Sequence, residues 1–111
     1  MLVEVLHHVI RKPATLDYPA VPAVSPPDFR GRVRFSGVKC NGCKLCEKDC
    51  PSGAIVINKV GEKRYEAVFH LDRCIYCGQC VDSCNRDSLE VTAEFELAAL
   101  DRGSLRVIHA G

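Results

Sequence analysis

Cys40-Asn41-Gly42-Cys43-Lys44-Leu45-Cys46-Glu47-Lys48-Asp49-Cys50-Pro51 and, 34 residues later, Cys74-Ile75-Tyr76-Cys77-Gly78-Gln79-Cys80-Val81-Asp82-Ser83-Cys84-Asn85 share one spacing, C-x-x-C-x-x-C-x-x-x-C. Together they use all eight cysteines of the 111-residue chain. Three soft sulfur donors in a tight loop, with a fourth just beyond, point to thiolate-bound metal. A disulfide-stapled secreted fold is the rival reading of eight cysteines. Against it, Met1 to Arg11 lacks a basic n-region and a small-residue cleavage site, and Glu4, His7 and His8 interrupt its apolar run. Free thiolates in a reducing compartment are therefore expected. No segment approaches the ~20 apolar residues of a membrane span.

The repeat extends beyond the cysteines. At the same offset of 34, Phe35 matches Phe69, Lys39 matches Arg73 and Ile55 matches Leu89. One supersecondary unit used twice predicts pseudo-two-fold symmetry. Between the halves, Ala54 to Val60 and Arg64 to His70 read as strands, with Gly61 at the turn. Residues 1–12 read as an amphipathic helix, with Leu2, Val5, Leu6 and Val9 on one face. Residues 13–27 hold five of the six prolines and are expected to be extended, as a strap with Tyr18, Val21 and Val24 available for contacts. The tail suggests a helical turn at Glu96–Leu100 and a strand at Leu105–Ile108. Three parts follow: an N-terminal helix and docking arm (1–32), a core unit (33–93) and a tail (94–111).

Charge is uneven although the net is only +1. Residues 1–39 carry six Lys/Arg against three Asp/Glu, and residues 40–100 carry seven against ten. A basic arm on an acidic body suits docking by the arm. No dense basic run or stacking platform suggests nucleic acid. No nucleophile–base pair, phosphate loop or dinucleotide fingerprint is present. The chain thus offers no catalytic residues of its own. His7 and His8 fall on the polar face of the first helix. His70 reads as an ordinary strand residue, and His109 carries no signal.

The doubled run resembles the signature of bacterial two-cluster ferredoxins. The resemblance implies a small α+β ferredoxin-like domain with two [4Fe–4S] clusters, and electron transfer as its work. It also implies crossed ligation, because the fourth cysteine of each run serves the other cluster. Cys40, Cys43, Cys46 and Cys84 would then hold cluster 1, and Cys74, Cys77, Cys80 and Cys50 cluster 2. Zinc is the competing metal, but its sites usually take two C-x-x-C pairs per ion. The third cysteine of each run and the doubled arrangement favour iron–sulfur. Gly42 and Gly78 would let backbone N–H groups approach sulfur. Ile55, Ile75, Leu45 and Val81 are candidates for excluding water, and Tyr76 for flanking the second cluster.

A narrower resemblance lies outside the cysteines. Arg11-Lys12-Pro13-Ala14-Thr15-Leu16-Asp17-Tyr18-Pro19 with Phe29-Arg30-Gly31-Arg32 is similar to the leading segment of the two-cluster subunit of respiratory complex I. It is equally similar to that of energy-converting membrane-bound [NiFe] hydrogenases and formate hydrogenlyases. Arg73 to Cys80, and Glu94-Phe95-Glu96-Leu97 with Asp101-Arg102, resemble the same family. This implies a peripheral relay subunit on the cytoplasmic side of a membrane. Its partners would be hydrogenase-like large and small subunits, membrane subunits, and a ferredoxin or other electron-input subunit. The short Tyr18-Pro19-Ala20-Val21-Pro22 segment looks more like the hydrogenase branch, with complex I or a free diffusible ferredoxin as alternatives. Asn85 departs from the proline usual after the last cysteine of both runs, which leaves the environment of Cys84 open.

Overall fold

Branched and aromatic residues alternate with polar ones on either side of Glu62-Lys63, and this period-two pattern makes a hairpin. In the computed structural model, which describes residues 1–110, the hairpin is β2 (Ile55–Gly61) paired antiparallel with β3 (Arg64–His70). The turn falls one residue later than expected. Gly61 closes β2 after a register shift, and Lys63 supplies the left-handed residue at φ 58°. Ile55 faces Phe69 and Ile57 faces Ala67 across the ladder, and all four are buried.

A second, shorter ladder joins β1 (Val33–Phe35) to β4 (Leu89–Val91), again antiparallel. It repeats the first at the sequence offset: the pair Phe35–Leu89 corresponds to Phe69–Ile55. The Ser36 N–H donates to the Ser88 carbonyl at 2.8 Å, and the His70 N–H to the Ala54 carbonyl at 2.7 Å. Left-handed backbone recurs at the same spacing: Gly42 with Tyr76 (φ 72° and 53°), Lys44 with Gly78 (59° and 82°), Gly53 with Asp87 (59° and 49°). Each ladder combines a strand entering one cysteine run with a strand leaving the other. Val33, Ile55, Ile57, Ala67, Phe69 and Leu89 fill the space between them, joined by Cys46.

Two single-turn helices, α2 (Leu45–Lys48) and α3 (Gln79–Asp82), carry the third cysteine of each run. Each starts just after a left-handed residue, Lys44 or Gly78, which turns the chain out of the loop.

The tail differs from expectation. No helix forms at Glu96–Leu100. Phe95 and Glu96 instead hold the arm, a case of tertiary contact overriding local propensity. The helical turn is a 3-10 segment at Arg102–Leu105, and it leads into β5 (Arg106–Ala110). β5 pairs with β3, making a three-stranded sheet in the order β2-β3-β5.

Helix α1 (Leu2–Ile10) buries none of its residues. The molecule measures 70 × 29 × 25 Å, with a radius of gyration of 19.5 Å. A compact chain of this length has a radius of about 13 Å, so the arm carries α1 away from the body. The proline segment returns to the body at its end. Gly31 and Arg32 N–H groups donate to Thr92 and Glu94 carbonyls, both at 2.9 Å, extending the β1–β4 ladder. Tyr18 and Phe29 pack on Phe95, with ring centroids 6.2 and 6.0 Å away, and the Tyr18 hydroxyl donates to Glu96. The strap thus lies partly along the chain's own tail. Among the described residues, no helix is long and apolar enough to cross a membrane.

Candidate cluster-binding site

The symmetry of the ladders decides which cysteines meet. β4 follows Cys84 and pairs with β1, which leads into Cys40, so the fourth cysteine of the second run returns beside the first. A small cavity is lined there by Cys40, Cys43, Cys46 and Cys84. Its apolar wall is Phe35, Ile57 and Leu89, drawn from both ladders. Ile57 is held by a bond from its N–H to Glu47 Oε2 at 3.1 Å, which also ties α2 to β2.

The second set shows itself electrostatically. Burial pushes the Cys80 thiol up to about 11, and negative charge at Cys74, Cys50 and Cys77 adds to the rise. Cys74 is likewise raised, by burial first and then by Cys50 and Cys77. Cys46 is pushed up to about 11, mainly by burial, with Cys80, Cys84 and Cys40 contributing. Cys80 is among the charges that raise Cys46, and Cys50, Cys80 and Cys84 pack against the core that Cys46 joins, so the two groups of thiols lie side by side.

The fourth cysteines behave differently. Burial pushes Cys50 and Cys84 up, but hydrogen bonds outweigh it and hold both thiols below their ordinary value. Ala54 N–H donates to Cys50 Sγ at 3.2 Å, and Ser88 N–H to Cys84 Sγ at 3.4 Å. Gly42 N–H donates to Cys40 Sγ at 3.4 Å. Backbone N–H groups aimed at sulfur stabilise thiolate, the form that binds metal.

The donor set fits a cubane cluster. All eight cysteines are free. Among the described residues, no three His, Cys, Asp or Glu side chains converge on a single ion position. A bare zinc ion needs its thiolates about 2.3 Å away. Sulfurs set around a cavity suit a larger group that presents its irons outward. When bound, such a cluster takes up and gives back one electron at a time. This chain's part is to hold it, to keep water from one side with Phe35, Ile57 and Leu89, and to aim N–H dipoles at the sulfurs.

Several expected side chains fall elsewhere. Ile55 is buried, but Ile75 and Leu45 are exposed and do not shield the site. Val81 is half-buried against the core. Gly42 is required by packing: its backbone is left-handed at φ 72°, and a Cβ there would overlap the Tyr65 ring. Gly78 has a different role, forming the left-handed turn beneath Arg30. Tyr76 lines a separate cavity with Phe29, Arg30 and Phe95. The His70 carbonyl accepts the Arg73 and Cys74 N–H groups, both at 3.1 Å, and so turns β3 into the second loop. His109 stacks edge-on against Phe69 at 5.6 Å. Arg30, Tyr65 and Glu47 carry no signal of their role in the sequence, since each acts on a residue ten or more positions away.

These features define a small α+β domain of the two-cluster ferredoxin type. The family described as "4Fe-4S dicluster domain" matches residues 39–88. NADH-quinone oxidoreductase subunit I 2 of Geobacter metallireducens is 40% identical over 107 residues, covering 87% of this chain and 81% of that protein. NAD(P)H-quinone oxidoreductase subunit I of Gloeobacter violaceus is 36% identical, covering 91% of this chain but 51% of its own length. Among solved structures, a chain of the membrane-bound sulfane sulfur reductase, an archaeal respiratory membrane complex, superposes with a TM-score of 0.71 at 27% identity, over 90% of this chain and 55% of that one. The chain belongs to the dicluster ferredoxin-like family of complex I subunit I, and its cofactors are two [4Fe–4S] clusters. The relatives' names favour the complex I branch over the hydrogenase branch that the Tyr18–Pro22 segment suggested.

Proposed function

We propose that this chain is the peripheral two-cluster electron relay of a membrane-bound, complex I-type oxidoreductase. In this reading Cys40, Cys43, Cys46 and Cys84 hold one cluster, and Cys74, Cys77, Cys80 and Cys50 hold the other, within a pseudo-two-fold ferredoxin-like domain. The observation that carries the ligand assignment is the cavity where Cys84, from the second run, meets three cysteines of the first. Crossed ligation ties the two runs together and keeps the clusters close enough for rapid exchange. Helix α1 and residues 11–30 form the docking arm. Leu2, Val5, Leu6 and Val9 remain exposed in the isolated chain, which is the condition expected of a surface that membrane subunits cover. A hydrogenase-type host is the second reading. It rests on the resemblance of Tyr18-Pro19-Ala20-Val21-Pro22 to the hydrogenase branch.

The test is anaerobic purification of the full chain, followed by iron and sulfide analysis and EPR. About eight irons and eight sulfides per chain are expected for two cubanes. Cys84→Ala should disturb mainly the cluster held by Cys40, Cys43 and Cys46. Loss of the other cluster instead would refute the crossed assignment. Capture of the native complex, with its subunits identified by mass spectrometry, decides between the hosts.

A further inference from the structure

We propose that Arg30, a residue of the arm, sets the potential of the cluster held by the second cysteine loop; the inference rests on the ligand assignment above. The Arg30 Nη1 donates to the Cys77 carbonyl at 3.1 Å, 47 residues away in sequence. The Arg30 Cδ lies 3.6 Å from where a Gly78 Cβ would stand, so the side-chain stem fills the space this glycine leaves. The guanidinium is thereby fixed against the peptide that follows a ligand cysteine. Among the described residues Arg30 makes no ion pair, the four pairs found being formed by other residues.

The first loop is arranged differently. At the position matching Gly78 stands Lys44, itself left-handed at φ 59°. Its Nζ lies 3.8 Å from Glu47 Oε2, so a carboxylate offsets that cation. The repeat therefore keeps its backbone while placing by one loop a cation bridged to a carboxylate and by the other a cation that, among the described residues, forms no ion pair, with Asp28 and Asp82 lining the same cleft. Net charge near a cluster sets its potential. Reduction adds one negative charge, which a nearby cation stabilises, and the potential rises. Because Arg30 extends from the same segment that carries α1, seating the arm on a partner would shield this cation from solvent and strengthen its effect on the second cluster alone.

The experiment is an EPR-monitored redox titration of the full chain carrying both clusters, comparing wild type with Arg30→Gln and Arg30→Lys. Iron content and two resolved signals in the wild type test the ligand reading separately. Cys77→Ser, which changes one ligand atom, identifies the signal of the second cluster. In Arg30→Gln that signal's midpoint should move to more negative potential while the other stays in place. Arg30→Lys, which keeps the charge, should hold the second midpoint near wild type. Unchanged midpoints, an equal displacement of both, a change confined to the first cluster, or a drop in Arg30→Lys as large as in Arg30→Gln would each overturn the proposal.

Discussion

Gly42→Ala is the substitution that separates backbone strain from a packing conflict at the site. Left-handed backbone costs an alanine about 1–2 kcal/mol. That cost alone does not demand glycine, since Tyr76 occupies the matching position of the second loop at φ 53°. What distinguishes Gly42 is Tyr65, whose ring lies where the added methyl would go. Moving a half-buried ring on β3 adds overpacking of about 1–3 kcal/mol. Gly53 is the control: its φ is 59°, but nothing lies within 4 Å of the position an added methyl would take. Gly53→Ala should therefore cost the backbone amount alone, equivalent to about 5- to 30-fold in the folded-to-unfolded ratio. Gly42→Ala should cost about 2–5 kcal/mol, the two contributions together. The assay is the rate at which visible cluster absorption bleaches in guanidinium chloride under argon. Tyr65→Ala should relieve the extra penalty of Gly42→Ala, giving a coupling of about 1–3 kcal/mol in the double-mutant cycle. Equal bleaching rates for Gly42→Ala and Gly53→Ala, or no relief from Tyr65→Ala, would refute the reasoning.

Phe69→Ala removes the largest side chain of the buried core, and should cost about 3–5 kcal/mol; weakened retention of both clusters in the same bleaching assay is the expected result. His109 is held below the ordinary imidazole value, by burial first and then by Arg32 and Arg34. Its depressed folded value makes the neutral ring favourable, so this contribution is complete above about pH 6.5 and is lost as pH falls through the folded value. His109→Phe should accordingly be less destabilised than wild type as the pH is lowered through the ordinary imidazole value of about 6.5, measured as guanidinium midpoints. Deleting residues 2–10 should leave both EPR signals intact, because α1 buries nothing in the chain itself. The same deletion should abolish co-purification with membrane subunits.

The parts legible in the sequence are those with local or periodic signals. Eight cysteines in two equal runs, the offset of 34 and the alternation through β2 and β3 all survive translation into structure. β1 and β4 are not recognisable as a ladder from sequence, because each is three residues long and the partners stand 54 to 58 residues apart. The aromatic contacts of Tyr18, Phe29 and Phe95 are invisible for the same reason: they depend on the tail folding back beneath the arm. Glu96–Leu100 misleads because its residues favour a helix, whereas Glu96 is committed to Tyr18 and Phe95 to two rings. Ile75 and Leu45 look like shielding residues on composition alone. Leu45 at the start of α2 and Ile75 in the second loop are exposed, and the shielding comes from strand residues of both ladders.

The two runs differ at the residue after the fourth cysteine. Pro51 follows Cys50 and Asn85 follows Cys84, yet both sulfurs accept an N–H from the residue four positions on. Those donors, Ala54 and Ser88, come just after the left-handed residues Gly53 and Asp87. The backbone reversal at positions 53 and 87 therefore directs the donor, and the residue directly after the cysteine is not needed for the bond. Both thiols lie below their ordinary value with or without proline. Asn85 is exposed and takes part in neither contact. Asn85→Pro should thus leave the EPR signals and midpoints unchanged. Asp87→Val, which puts a β-branched residue at φ 49°, should disturb the cluster bound through Cys84, because strain at that turn moves the Ser88 donor off its sulfur.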